Sequence, residues 1–186
     1  MEEKLRQKPS NCIKIVLFGP ESSGKTTLSR NLAAHYNCEW IPEYAREYLQ
    51  HKWEKEQSIC APEDLLPIAE GQMRLENAAS KNADRLLICD TDLLETKVYG
   101  EAYYDHWCPP ELEIAALANT YDLYLLTYID IPWEADDLRD RPEQREEMFL
   151  QFKEALVTYK RPFVLLKGTL AERMAIATEH INKLLS

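Results

Sequence analysis

Gly19-Pro20-Glu21-Ser22-Ser23-Gly24-Lys25-Thr26 satisfies the pattern GxxxxGK[ST] at every fixed position. It lies between an apolar run, Cys12 to Phe18, and an amphipathic segment, Lys25 to Tyr36, which is the strand–loop–helix setting in which that pattern binds phosphate. The spacing matters because several backbone N–H groups must wrap one anion, and side chains at the two glycines would obstruct the turn or the close approach. A helix N-terminus adds partial positive charge beneath the anion. Contacts to a nucleoside triphosphate are therefore expected from Gly19, Glu21, Ser22, Ser23, Gly24, Lys25, Thr26 and Thr27. Among them, Lys25 is expected to reach the β- and γ-phosphates and Thr26 to ligate Mg²⁺.

Acids at strand ends are the next chemical signal, since ligands of open α/β sheets sit beyond the carboxyl ends of the strands. Asp90 ends the run Leu86-Leu87-Ile88-Cys89 and is placed to hold Mg²⁺ directly or through water. Asp92 is either a substrate contact or the cap of a helix that starts at Leu93. Glu43 follows the second apolar run. It is either a carboxylate favoured by a helix dipole or a general base that accepts the proton of an attacking hydroxyl. Its neighbours Tyr44 and Arg46 are substrate-binding candidates, with a plain surface charge as the other reading of Arg46.

Residues 130 to 147 contain eight acids and three arginines, Arg139, Arg141 and Arg145. Asp140 and Glu143 have capping-box spacing, which predicts a helix from there to about Tyr159 with Arg141 and Arg145 one turn apart. The segment reads either as an arginine lid that closes over a transferring phosphoryl group or as a salt-bridged solvated face. Trp133 either stacks on an aromatic ligand or anchors the lid. Tyr99, Tyr103, Tyr104 and Trp107 either line a ring pocket or pack a core. Gly168 either admits adenine close to the backbone or forms a turn.

The elements that must position these groups alternate along the chain. Strands are expected at 12–18, 38–41, 85–90, 121–129 and 163–166, and helices at 25–36, from Pro42, at 62–82, 93–104, 110–119 and 170–185. Such β-α alternation predicts a parallel sheet covered on both faces. The chain has 186 residues, enough for one domain, with residues 1–11 as a flexible N-terminal segment and 12–186 as the folded unit. Twenty-two basic against thirty-two acidic residues give a net charge of −10, which argues against a nucleic-acid-binding surface. Only five glycines occur where average usage of about 7% predicts roughly thirteen, and two of the five stand in the phosphate loop. The five cysteines are at least nineteen residues apart and form no zinc pattern. No apolar stretch is long enough for a membrane span and no signal sequence is evident, so a cytoplasmic protein without a membrane partner is expected.

Together the segments GPESSGKTTLSRNLA, IPEYAREYL, CDTDLLETKVYGEAYY and YDLYLLTYIDIPWEADDLRDRPEQREEMF resemble the ribosylnicotinamide kinase domain of the NadR family. The resemblance spans Ile13 to Leu185 and implies a three-layer P-loop kinase fold, with a five-stranded parallel sheet in the order 2-3-1-4-5 and a helical lid at about 131–147. It implies transfer of the ATP γ-phosphate, with Mg²⁺, to the ribose 5′-hydroxyl of nicotinamide riboside. Gly24, Lys25 and Thr26 are thereby carried to nucleotide and metal, Asp90 to magnesium or substrate, and Arg139, Arg141 and Arg145 to the lid. Arg139 is then a nucleotide ligand and Arg141 a catalytic one. An acid after the second strand often serves as the base in the wider superfamily, which favours Glu43. Family members also carry a helix-turn-helix and an adenylyltransferase domain before the kinase. Here about a dozen residues precede the first strand, so those functions are not carried over. Other acceptors, or a nucleotide-dependent ATPase or regulatory module, are the alternatives. The latter is disfavoured because no NKxD motif is present and Thr91, not glutamate, follows Asp90.

Overall fold

Five strands and seven α-helices make up the regular structure in a computed structural model that describes residues 3–134 and 142–186. In chain order they are β1 (Ile13–Phe18), α1 (Lys25–Tyr36), β2 (Glu39–Ile41), α2 (Tyr44–Glu56), α3 (Leu65–Ala79), β3 (Leu86–Asp90), α4 (Leu93–Tyr103), α5 (Pro110–Ala118), β4 (Leu123–Thr127), α6 (Arg145–Thr158), β5 (Phe163–Leu166) and α7 (Leu170–Leu185). The strands pair in the order β2-β3-β1-β4-β5, all parallel, with Ile13 opposite Leu86 and Ile15 opposite Leu123. This is the P-loop kinase sheet implied by the sequence resemblance. Its carboxyl edge gathers Phe18, Ile41, Asp90 and Thr127, so everything that follows those residues faces one crevice.

The central strands are covered on both sides and therefore read as nearly continuous apolar runs, with Lys14 of β1 the exception. Alternate residues still serve different faces. Val16, Phe18, Leu87, Cys89, Tyr124 and Leu126 join Leu94, Val98, Phe149 and Phe152 of α4 and α6 in one core. Ile15, Leu17, Ile88 and Leu125 join Leu28 and Leu32 of α1 and Ala177 and Ile181 of α7 in the other. A third cluster lies beside the first and departs from expectation. Leu5 is fully buried among Leu65, Ala69, Met73, Leu93, Leu112 and Ala115, in a short 3-10 turn at Glu3–Leu5.

The described part of segment 1–11, expected to be flexible, makes polar contacts with α3 as well. Asn77 Oδ1 accepts the Lys8 N–H at 2.8 Å, and Gln7 Nε2 donates to Glu76 Oε1 at 2.8 Å. Glu76 also takes the Lys14 ammonium at 2.8 Å and the Tyr121 hydroxyl at 2.7 Å. One apolar residue in a charged stretch is a weak sequence signal, yet its burial is enough to dock the segment.

Some boundaries differ from expectation. The 62–82 segment opens with a 3-10 turn at Pro62–Asp64, and its α-helix stops at Ala79. The helix after the arginine segment begins at Arg145, behind a 3-10 turn at Pro142–Gln144. The expected capping residue Asp140 lies outside the described residues.

Candidate active site

β1 delivers the phosphate loop, and the packing beneath it accounts for the glycines. At Gly19 (φ +139°) a β-carbon would come within 2.7 Å of Thr127 Oγ1 and 2.9 Å of Thr127 O, so only glycine fits against β4. Gly24 (φ +86°) is the N-cap of α1. Ser23 pins the turn from inside, with its hydroxyl 2.6 Å from both Pro20 O and Thr127 Oγ1. Arg173 of α7, 2% exposed, fastens the loop from behind by donating to Ser23 O at 2.6 Å, Gly168 O at 3.0 Å and Tyr128 O at 2.9 Å, and it pairs with Asp130.

The loop borders a cleft of about 560 Å³. At the phosphate end stand Ser22, Ser23, Gly24, Lys25, Thr26 and Thr27, with Glu21 alongside. Asp90 closes the floor and Glu43 the side. Trp40, Arg46, Leu49, Ile68, Gln72, Tyr99, Tyr103 and Tyr104 line the remainder. Lys25 Nζ donates to Gly19 O at 2.7 Å and Pro20 O at 3.1 Å, and lies 3.2 Å from Glu95 Oε1.

Three carboxylates share this one buried ammonium. Burial alone would lower the Lys25 pKa, but Glu95, Glu43 and Asp90 outweigh it and raise it, so the lysine stays charged. The acids bear the cost. Burial and the neighbouring Glu43 carboxylate push Asp90 up to about 6, against the pull of the Thr26 hydroxyl and Lys25. Burial pushes Glu95 up to about 8, with Lys25 opposing and Glu43 and Asp90 adding.

Glu43 is the N-cap residue of α2, and its carboxylate makes no capping hydrogen bond. Its backbone is bracketed instead. Gln72 Oε1 accepts the Tyr44 N–H at 2.8 Å, and Gln72 Nε2 donates to Pro42 O at 3.3 Å. A buried amide on α3 thus holds the residues on both sides of Glu43, while its carboxylate acts on Lys25, Asp90 and Glu95.

Several expected site residues are directed elsewhere. Asp92 is 1% exposed and is not part of the cleft lining: Oδ1 accepts the Glu95 N–H at 3.0 Å, as a helix cap does, and Oδ2 accepts the Tyr124 hydroxyl at 2.7 Å. The Tyr44 ring packs on α3, where a β-carbon at Gly71 would sit 1.9 Å from it, and it too is outside the cleft lining. Trp133 rests 5.6 Å from the Arg145 guanidinium in a separate small pocket. Gly168 (φ +89°) donates its N–H to Asp130 at 2.6 Å just ahead of α7, where an added β-carbon would come within 2.4 Å of Glu172. Arg145 donates to the carbonyls of Ser22 and Ile131, so it braces the phosphate loop from outside. Arg139 and Arg141 lie outside the described residues.

No sequence pattern singles out Glu95, Gln72 or Arg173 as site residues. Glu95 carried a misleading signal, because Asp92-x-x-Glu95 has capping-box spacing and a box would use both side chains. Only Asp92 caps. Gln72 and Arg173 had none, since each acts across the fold.

A buried cation in a glycine loop at the carboxyl edge of a parallel sheet defines a P-loop nucleotide-binding protein. The chain belongs to the AAA domain family, whose pattern matches residues 14–173. Among curated relatives, it is 31% identical over 134 residues to the trifunctional NAD biosynthesis/regulator protein NadR of Escherichia coli strain K12, covering 71% of this chain and 32% of that protein. The chain thus spans about a third of the curated relatives it matches. Crystal structures share the fold: NadR protein in complex with NR (TM-score 0.69, 23% identity, 93% of this chain and 51% of that one) and NadR protein in complex with NAD and AMP-PNP (TM-score 0.72, 22% identity, 93% and 49%).

Proposed function

We propose that this chain is an ATP-dependent kinase that phosphorylates the ribose 5′-hydroxyl of nicotinamide riboside, giving nicotinamide mononucleotide. The observation that carries the reading is one continuous cleft with the phosphate loop at one end, the half-buried Glu43 carboxylate at its side and apolar and aromatic walls beyond. That arrangement places a phosphoryl donor and a hydroxyl acceptor in one enclosure. The similarity to NadR, and the NR and AMP-PNP of its crystal structures, support the choice of acceptor and donor.

In this reading the loop N–H groups and Lys25 orient the triphosphate. Glu43, held by Gln72, accepts the proton of the attacking hydroxyl. The aromatic walls exclude water, so ATP is not spent on hydrolysis. Asp90 and Thr26 fit a magnesium ion. Both Asp90 carboxylate oxygens are buried and accept no hydrogen bond within the described residues, so they are available to a cation or its waters. One carboxylate and one hydroxyl from the protein would leave the ion its waters and phosphate oxygens as the remaining ligands. When bound, the ion neutralises charge on the phosphates.

We place the enzyme in the cytoplasm. Its five cysteines are free thiols, and among the described residues no helix is long and apolar enough to cross a membrane.

The acceptor is tested by incubating the protein with Mg·ATP and a panel of nicotinamide riboside, other nucleosides and small polyols, with products separated by mass. Phosphorylated nicotinamide riboside is expected. ADP release that no acceptor stimulates would instead identify an ATPase module, and turnover of only another acceptor would reassign the substrate. Glu43→Gln should lower kcat roughly 10²-fold with little change in ATP binding, and normal turnover would remove Glu43 as the base.

A further inference from the structure

Glu95 is 2% exposed and lines the cleft, yet neither of its carboxylate oxygens accepts a hydrogen bond within the described residues. Its one close partner there is Lys25, at 3.2 Å. An ammonium has three N–H donors. Two of those of Lys25 are spent on Gly19 O and Pro20 O, carbonyls of its own loop, and its remaining side faces Glu95. The lysine is therefore folded back onto the loop and fully engaged. A triphosphate must draw it away from the two loop carbonyls and from the Glu95 carboxylate.

Glu95 has no competing duty. The helix it begins is capped by Asp92, so its side chain is not needed at the helix end. At α7, where the same spacing recurs, Glu172 does turn back to the Thr169 N–H at 2.7 Å. We propose that Glu95, when ionised, is the counter-ion of the phosphate-loop lysine, displaced from it by the incoming polyphosphate, and that this competition weakens nucleotide binding wherever Glu95 carries its charge. The proposal rests on the reading that Lys25 engages phosphates, but not on which acceptor is used.

Once Lys25 turns to phosphate, Glu95 is left buried beside the Glu43 and Asp90 carboxylates, with Tyr99 one turn along its own helix. The two carboxylates and the phosphate all oppose a negative charge there. Glu95 then takes up a proton from solvent. Its pKa of about 8 in the free protein means that this uptake is largest on the alkaline side, where Glu95 is ionised beforehand.

The experiment is calorimetric titration of the whole protein with ADP, in EDTA and without acceptor. At about pH 8.5, Glu95→Gln is expected to bind ADP about tenfold more tightly than the wild type, and the gap should close toward pH 6.5 as Glu95 becomes neutral in both states. Equal or weaker binding by Glu95→Gln at pH 8.5 would overturn the proposal, and would mean that Glu95 holds Lys25 in its productive position. Should the variant fail to reach the wild-type fold, the wild type alone decides. Titrations at pH 8.5 in two buffers of different ionisation enthalpy should show net uptake of more than about half a proton, and zero uptake or release overturns the idea. Absence of ADP binding to the wild type would remove the kinase reading as well, whereas ADP binding without the Gln gain or the proton uptake removes this inference alone.

Discussion

Helices α4 and α7 start from the same sequence grammar and end with different structures. Each has a capping side chain, Asp92 or Thr169, followed three residues later by a glutamate, Glu95 or Glu172. At α7 the box closes: Thr169 accepts from the Glu172 N–H, and Glu172 accepts from the Thr169 N–H and hydroxyl. At α4 only half of it forms, because the second glutamate is drawn to Lys25 across the crevice. The exposed helix follows its local rule, and the buried one yields to an ion pair supplied by a distant loop. Tertiary charge outranks local capping where water is excluded, since an unpaired buried cation costs more than a lost cap.

The largest effect is expected from removing what causes the difference. Lys25→Ala should lower kcat/KM by roughly 10³-fold in a coupled assay, because a charge-stabilising donor to the transferring phosphate is lost. A fall of less than tenfold would detach the loop from catalysis. Asp92→Ala comes next. It removes the α4 cap and leaves the Tyr124 hydroxyl, fully buried in the core, without its acceptor, so a loss of about 2–3 kcal/mol is expected in urea denaturation. Activity should fall with it, since α4 follows directly on Asp90.

A pH series sharpens the contrast further. The Glu95 pKa rises from an ordinary 4.5 to about 8 on folding, so between those values the folded state holds a proton that the unfolded state releases. Stability of the ligand-free protein should accordingly fall as pH rises through that window, and Glu95→Gln should flatten the slope in thermal melts. Glu172 moves the opposite way, held below its usual value by the Thr169 N–H, and should add no such slope there. The smallest effect is Thr169→Ala, expected to cost about 1 kcal/mol of stability while kcat stays within roughly twofold. A large activity loss in that variant would show that the start of α7 also shapes the cleft.

The same contrast explains what could be read from the chain. The strand order and the phosphate loop rest on contiguous patterns: nearly continuous apolar runs for strands covered on both faces, and fixed offsets for Gly19, Gly24 and Lys25. Asp90 was visible because it ends such a run. Residues whose role depends on a partner far along the chain were not visible. Gln72 reaches back to Pro42 and Tyr44, Arg173 reaches Ser23 across 150 positions, and Glu95 was masked by a pattern that promised a cap. Tyr44 and Trp133 misled in the opposite sense, as aromatic residues near the chemistry in sequence whose rings are engaged outside the cleft.

The bare α-carbon of Gly71 has a consequence for how such a cleft changes over time. The Tyr44 ring lies flat on α3 there, and Gln72, the next residue, holds the backbone on either side of Glu43. The seat of the proposed base is thus adjusted from a helix that is nearly thirty residues further along the chain. A single added methyl at position 71 would lift α2 and carry Glu43 with it, altering the gap between base and phosphate while every residue of the phosphate loop stayed the same. Selection for a larger or smaller acceptor therefore has a control point away from the conspicuous motif, and related chains with identical loops can diverge in what they phosphorylate.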